Sequence, residues 1–202
     1  YRNIFVKRNR PVQFFDSKYF FPEVKDGFDI VLGNPPYIKI SNFSKERKEQ
    51  WQAQEYEAYS SAGDIYCLFY ERGLSLARSN GVLCYISSNK FMRAGYGRDL
   101  RRFLAAKTAL SQLIDFGELP VFEAGTDPCV LLCRNVEPSK EGNAFTAASA
   151  KTKEDIANIP GLVSSRGFAC EQKRLSSEGW TLERPDVLAL LNQIQTAGTP
   201  LG

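Results

Sequence analysis

No histidine occurs anywhere in the 202 residues. Histidine-based nucleophilic triads and histidine-ligated metals are therefore excluded, and any chemistry proceeds without an imidazole. The five cysteines, Cys67, Cys84, Cys129, Cys133 and Cys170, are scattered through apolar stretches without a Cys-x-x-Cys pair. An odd, dispersed set of this kind reads as reduced, buried thiols of a cytosolic protein, not as a zinc site or a disulfide framework. No apolar run approaches the length of a membrane span, and the amino terminus lacks the pattern of a secretory signal. A strong charge of either sign is missing too. Twenty-six basic against 23 acidic side chains leave a net +3, which permits nucleic-acid binding without demanding it. What remains is a globular composition, 43% hydrophobic and 24% charged, long enough to bury a core. The chain begins at Tyr1 without a methionine and stops at Thr199-Pro200-Leu201-Gly202 just past a helical pattern, which predicts a fragment of a longer protein.

Against this background Asn34-Pro35-Pro36-Tyr37 stands out, directly after the apolar run Phe28-Asp29-Ile30-Val31-Leu32-Gly33. Proline cannot continue a sheet ladder, so a strand over 28–33 must stop there. Each proline also holds the residue before it in an extended conformation, giving a stiff turn at the carboxyl end of a strand, where open α/β sheets bind ligands. Such a platform suits methyl transfer to an exocyclic planar nitrogen. The amino group of adenine is a weak nucleophile because its lone pair is delocalised into the ring. Two acceptors, the Asn34 side-chain oxygen and the Pro35 carbonyl, would draw that nitrogen toward tetrahedral geometry and free the pair. Tyr37 would stack on the base once it is swung out of the duplex, a contact worth about 1–3 kcal/mol. The alternative is a proline turn with no chemistry.

The rest of the chain alternates between strand and helix patterns. Residues 11–15 read as a short strand or edge segment, and Tyr19-Phe20-Phe21-Pro22 as an aromatic stretch packed under the next strand. The strand at 28–33 is nearly all apolar, as in a parallel sheet covered on both faces. Residues 41–60 are polar and predict a mobile loop with some helix. From Asp64 to Ser79, Ile65, Leu68, Phe69, Leu76 and Ala77 recur at helical spacing, with Asp64 as the N-cap and Asn80-Gly81 as the end. Strands are predicted at 82–86, 110–116 and 129–133, and a helix from about Gly97 to Lys107. Strand–helix–strand order predicts a layered α/β sheet with right-handed crossovers. Residues 144–175 suggest strands around a short helix near 153–159, and Val187, Leu188, Leu190, Leu191 and Ile194 mark an amphipathic helix over 186–195.

Taken together, Phe20 to Tyr37, Asp64-Ile65-Tyr66-Cys67-Leu68-Phe69, Gly81 to Phe91 and Leu113 to Leu132 resemble one family, in the family's order. It is the adenine-specific DNA methyltransferases of type IIG, and related type I, restriction-modification systems. Gly179-Trp180-Thr181-Leu182 and the last helix are similar to the stretch leading into that family's target-recognition region. The resemblance implies an α/β, Rossmann-like class I S-adenosylmethionine-dependent methyltransferase fold, of which residues 1–136 form the truncated C-terminal part of the catalytic domain. Residues 137–202 would be a connecting region. It implies S-adenosylmethionine as cofactor, double-stranded DNA as partner, a bacterial or archaeal cytoplasm, and methylation of the adenine N6 amino group, with a possible fused endonuclease.

By the same resemblance Asn34, Pro35, Pro36 and Tyr37 form the catalytic turn, Phe122 packs against the flipped base, and Phe69 meets the cofactor's adenine. Plain packing is the alternative for Phe122, and an ordinary core position for Phe69. Lys90, Arg93 and Arg98, with Arg101, Arg102 and Lys107 nearby, are candidates for DNA phosphate, or else a solvated face partly paired with Asp99. One departure matters. The family's glycine-containing cofactor loop and its ribose-binding acid lie before the platform strand, and no such loop occurs among the residues preceding Asn34. The chain is thus expected to be inactive alone. Protein-glutamine and ribosomal-RNA guanine methyltransferases use a similar turn. A non-catalytic DNA-binding or assembly module that keeps the turn only as structure is the third reading.

Overall fold

The computed structural model describes residues 20–123 and 125–184, with positions 186, 187, 190, 193, 194 and 197 of the final segment. Six strands form one mixed sheet: β1 (Phe28–Gly33), β2 (Ala77–Ser88), β3 (Ala109–Asp115), β4 (Pro128–Arg134), β5 (Ala144–Ser149) and β6 (Phe168–Glu171). Their spatial order is β1-β2-β4-β3-β5-β6. The β1/β2 and β3/β5 pairs are parallel, while β4 runs antiparallel between β2 and β3, and β6 antiparallel to β5. All four strands expected between residues 28 and 133 are present, and two strands after residue 136 extend the same sheet. Among the described residues, the α-helices with assigned bounds are α1 (Lys45–Gln52), α2 (Tyr66–Leu76), α3 (Arg98–Lys107), α4 (Lys153–Ala157) and α5 (Ile159–Arg166).

Helix α2 buries Tyr66, Cys67, Tyr70, Gly73 and Leu74 against β2, a face set by spacings of three and four. Its ends differ from expectation. Ile65 occupies the N-cap position without a side-chain cap, and the Asp64 carboxylate instead accepts a hydrogen bond from the Tyr96 hydroxyl at 3.0 Å. The helix stops at Leu76 and β2 starts at once. Asn80, at φ 60°, lies inside β2, where the pairing jumps from Phe28↔Ala77 to Ile30↔Val82. The Asn-Gly pair therefore marks a bulge in a strand, a use of the left-handed conformation that sequence cannot separate from a helix terminus.

Two further expectations change. Residues 41–60 are organised around a small core of their own, in which Ile40, Trp51 and Leu68 are buried and the Phe43 and Trp51 rings meet edge-on at 5.0 Å. Ser44 caps α1 by accepting from the Arg47 amide. Strand β1 is covered on one face only: Ile30 and Leu32 are 61% and 72% exposed, and β2 is its single partner among the described residues. An all-apolar run shows what a strand can bury, not what is present to bury it.

The main core joins α2, α3 and one sheet face through Tyr66, Tyr70, Leu83, Tyr85, Phe91, Leu104, Leu113, Leu131 and Phe145, and it includes Trp180. A second cluster of Ile114, Phe116, Ala148 and Leu162 lies where α5 packs on β5. Phe21 meets Phe28 edge-on, as the aromatic stretch suggested, though Phe20 and Phe21 stay 38% exposed. The strand expected at 11–15 lies outside the described residues. So does half of the helix expected at 186–195, where the described positions are helical and Leu190 and Ile194 are exposed. Among the described residues no helix is long and apolar enough to cross a membrane.

Candidate active site

At the carboxyl end of β1, Asn34, Pro35, Pro36 and Tyr37 line a cleft of about 320 Å³ with Phe122 and Thr126. Pro35 is buried beneath an exposed Asn34, so the turn is anchored while its amide faces outward. Among the described residues nothing hydrogen-bonds the Asn34 side chain or the Pro35 carbonyl. Two residues that line the cleft thus keep acceptors without a partner among the described residues. The turn is tied down just beyond, where Ile40 N donates to Gly63 O at 2.8 Å and Ile65 N to Ile38 O at 2.8 Å.

Tyr37 is held on several sides. Its hydroxyl donates to the Ile86 carbonyl of β2 at 3.3 Å, and its ring lies edge-on to Tyr66 at 6.1 Å and to Phe122 at 6.3 Å. Burial, with the nearby Cys129 thiol, pushes the Tyr37 hydroxyl up to about 12, so it stays neutral and serves as a flat surface and a donor. Behind it runs a short polar chain. The Asp64 carboxylate can only accept, so Tyr96 donates to it, and the Tyr66 hydroxyl must then donate to Tyr96 at 3.0 Å. That chain fixes the fully buried Tyr66 ring against Tyr37.

A second, more apolar cavity of about 490 Å³ opens on the other side of β1, between β1, α1 and α2. Val31, Leu32, Trp51, Tyr56, Leu68 and Phe69 line it, with Arg47 and Arg72 at its border. Phe69 is 39% exposed into this space and is not a core residue. Phe122 and Phe69 therefore line two separate cavities.

The basic residues divide. Lys90 is exposed and makes no ion pair among the described residues. Arg93 stands 3.8 Å from Asp115, and Arg98 is 2.6 Å from Glu178 in an exposed pair. Arg102 pairs with Asp99 at 3.1 Å, as expected, and Lys107 with Glu137. The sequence places Arg101 among them as a surface or phosphate-binding cation, and the structure corrects this. It is 1% exposed and donates to the carbonyls of Phe91, Ala94, Ser177 and Glu178, so it cannot reach a phosphate. Sequence reasoning also passed over Tyr66, Tyr96, Thr126 and the buried pair Asn89–Asp115, joined at 2.8 Å. A polar amide at the end of β2 facing an acid at the end of β3 was the available signal. No cluster of acids, cysteines or histidines among the described residues could hold a metal ion.

A mixed sheet whose proline turn opens on a polar–aromatic cleft beside an apolar cavity has the class I S-adenosylmethionine-dependent methyltransferase fold found in restriction-modification systems. The chain belongs to the Eco57I restriction-modification methylase family, which matches residues 2–122. It is 30% identical over 171 residues to the Escherichia coli type II restriction enzyme and methyltransferase RM.Eco57I, covering 81% of this chain and 16% of that protein. It is 27% identical over 183 residues to the type II methyltransferase M.PaeR7I of Pseudomonas aeruginosa, covering 84% and 31%. The fold is similar to that of the type IIG restriction endonuclease BpuSI, at 15% identity and a TM-score of 0.59 over 90% of this chain and 24% of that one. The chain thus spans less than a third of either relative.

Proposed function

We propose that this chain is the target-base half of an adenine-specific DNA methyltransferase, acting on an adenine flipped out of double-stranded DNA. One observation carries the reading: two unpartnered acceptors, Asn34 and Pro35, share a cleft with two aromatic rings, Tyr37 and Phe122. The Asn34 oxygen and the Pro35 carbonyl take the two N6 hydrogens, which localises the nitrogen lone pair. Tyr37 offers its ring face to the base. Phe122, now edge-on to Tyr37, parts from it to pack on the opposite side. The attacking amine is neutral and loses its proton after transfer, so the lack of histidine costs the reaction nothing.

The residues suit one part of S-adenosylmethionine. The cavity lined by Phe69, Leu68, Trp51 and Tyr56 fits the cofactor's adenine ring, and exposure of the Phe69 ring supports that use. When bound, the cofactor supplies an electrophilic methyl group. Gly27 and Gly33 are the only glycines before Asn34, which leaves no glycine loop for the rest of the molecule. We therefore expect the 202-residue chain alone to transfer no methyl groups. Exposed Lys90 and Arg93 flank the cleft side of the sheet and suit DNA phosphate.

The test is transfer of labelled methyl from S-adenosylmethionine to duplex DNA by the longer protein carrying this chain, beside its Asn34→Ala variant. Label in adenine N6 that falls by at least about a hundredfold in the variant supports the reading, as for loss of one aligned transition-state contact. Label appearing in protein or RNA instead would replace DNA as the substrate. No cofactor binding at all would make the turn purely structural.

A further inference from the structure

A buried polar pair that the mechanism does not use sits at the neck of the loop that carries Phe122. Asn89 and Asp115 are only 6% and 8% exposed. Asp115 ends β3, and its Oδ1 accepts from the Asn89 side-chain amide at 2.8 Å and from the Gly117 amide at 2.9 Å. Asn89 begins the turn after β2, and its backbone N–H donates to the Asp127 carbonyl at 2.7 Å. Phe116 N donates to Pro128 O at 3.0 Å across the same neck. One side chain thus grips the outgoing end of the loop at Gly117, and the residue bonded to it grips the returning end at Asp127. Phe122 stands midway between them.

Burying an amide and a carboxylate is costly unless both are satisfied, and a loop of ordinary length closes without such a pair. Here Gly117 adopts φ 53°, a left-handed conformation that aims its N–H back at Asp115. Within the loop, Val121 N donates to Leu119 O at 2.8 Å, and Leu119 and Val121 lean on the cluster beneath α5. The stretch from neck to tip is therefore braced, and the direction of Phe122 follows from the geometry of the neck. We propose that Asn89 and Asp115 are positioning residues that set Phe122 against Tyr37, and with it the width of the base cleft. This rests on the base-cleft reading above for its function, although the positioning itself can be measured without any ligand.

The experiment uses the 202-residue chain labelled with 4-fluorophenylalanine, with Phe122 assigned through Phe122→Leu and the core residue Phe145 as reference. In Asn89→Ala the Phe122 fluorine signal moves and narrows toward that of a freely rotating ring, while Phe145 stays in place. Deoxyadenosine monophosphate, which shifts Phe122 in the unaltered chain, binds about tenfold more weakly to the variant, as for partial loss of one base–aromatic stack. A second variant guards against failure to fold. Asn89→Asp keeps the volume but sets two carboxyls face to face, with the Arg93 guanidinium and the Cys129 thiol beside Asp115, and Lys90 and Asp127 next to position 89. Like charges at that distance cannot both ionise freely, so a shared proton restores the clasp at low pH and its loss breaks it as pH rises. The Phe122 signal should switch reversibly with pH in this variant. A Phe122 signal that stays put in both variants, with stability alone reduced, overturns the proposal. If Phe122 responds to the substitutions but deoxyadenosine monophosphate shifts nothing in the unaltered chain, the clasp stands and the base-cleft reading falls.

Discussion

Arg98 and Arg101 lie one helical turn apart on α3 and carry the same charge, yet removing them should have very different effects. Arg98 forms an ion pair whose partners are 59% and 69% exposed, so Arg98→Ala should cost less than about 1 kcal/mol. Arg101 is buried, its guanidinium spent on four carbonyls that tie the turn after β2 to residues 177–178. Burial lowers its pKa from the ordinary arginine value. Arg101→Met keeps the stem and strands those carbonyls, at roughly 3 kcal/mol. Urea unfolding of the two variants measures the contrast, and a loss under about 1 kcal/mol for Arg101→Met would mean that water reaches the carbonyls instead. The sequence held part of this signal, because Arg101 flanks the arc of Gly97, Leu100 and Leu104 that α3 buries. The end of β1 before Asn34 was legible because prolines leave few conformations to choose from. Asn89 and Asp115 were not, since their meaning lies in a contact between strands 26 residues apart.

Helix α2 and strands β1 and β2 meet around a single ring. Tyr85 of β2 is 6% exposed and fills the space above two glycines, Gly33 at the end of β1 and Gly73 in the middle of α2. A methyl on Gly33 would come within 2.8 Å of the Tyr85 ring, and one on Gly73 would strike the Tyr85 hydroxyl and approach Leu83 Cδ1 at 2.6 Å. For Gly73→Ala two effects compete: a helix-propensity gain of about 1 kcal/mol, and overpacking that costs about 1–3 kcal/mol. Both blocking groups are pinned in the core, so overpacking wins and the variant is destabilised. Tyr85→Phe removes the nearer obstacle, and the double variant should recover about half of the loss, a coupling that a double-mutant cycle in urea reads directly. Additive losses would show that α2 shifts bodily. At this scale the periodic elements were readable, because α2, α3 and β2–β4 each show an apolar face at the right spacing. The ends of α2 were not. Asp64 is drawn away from capping by Tyr96, and the glycine after Asn80 serves a bulge.

Across the whole molecule the missing histidines and the buried tyrosines and thiols act together on the response to pH. With no imidazole to titrate, little should change near neutrality. On the alkaline side the core is full of groups that prefer to stay neutral. Burial pushes the Cys67 and Cys133 thiols up to about 12 from an ordinary 9.0, and Cys129 upward as well. Tyr37 rises to about 12 from 10.0, and Tyr66, Tyr70 and Tyr96 are also raised, in each case chiefly by burial. Every one of these folded values lies above its unfolded value. The folded chain therefore holds its protons more tightly, and the stability they contribute is complete below about pH 9 and drains away as pH climbs through about 12. These groups sit on α2, β4, the platform turn and the turn before α3, so the loss falls on the main core and on the site together. The urea midpoint should be level from about pH 6 to 8.5 and fall steeply above about pH 9.5. Tyrosinate absorbance should show the buried tyrosines ionising only as the chain unfolds. A midpoint level to about pH 11, or smooth ionisation of all the tyrosines, would mean that water reaches these hydroxyls in the folded state and that the packing around Tyr37 is looser than its contacts imply.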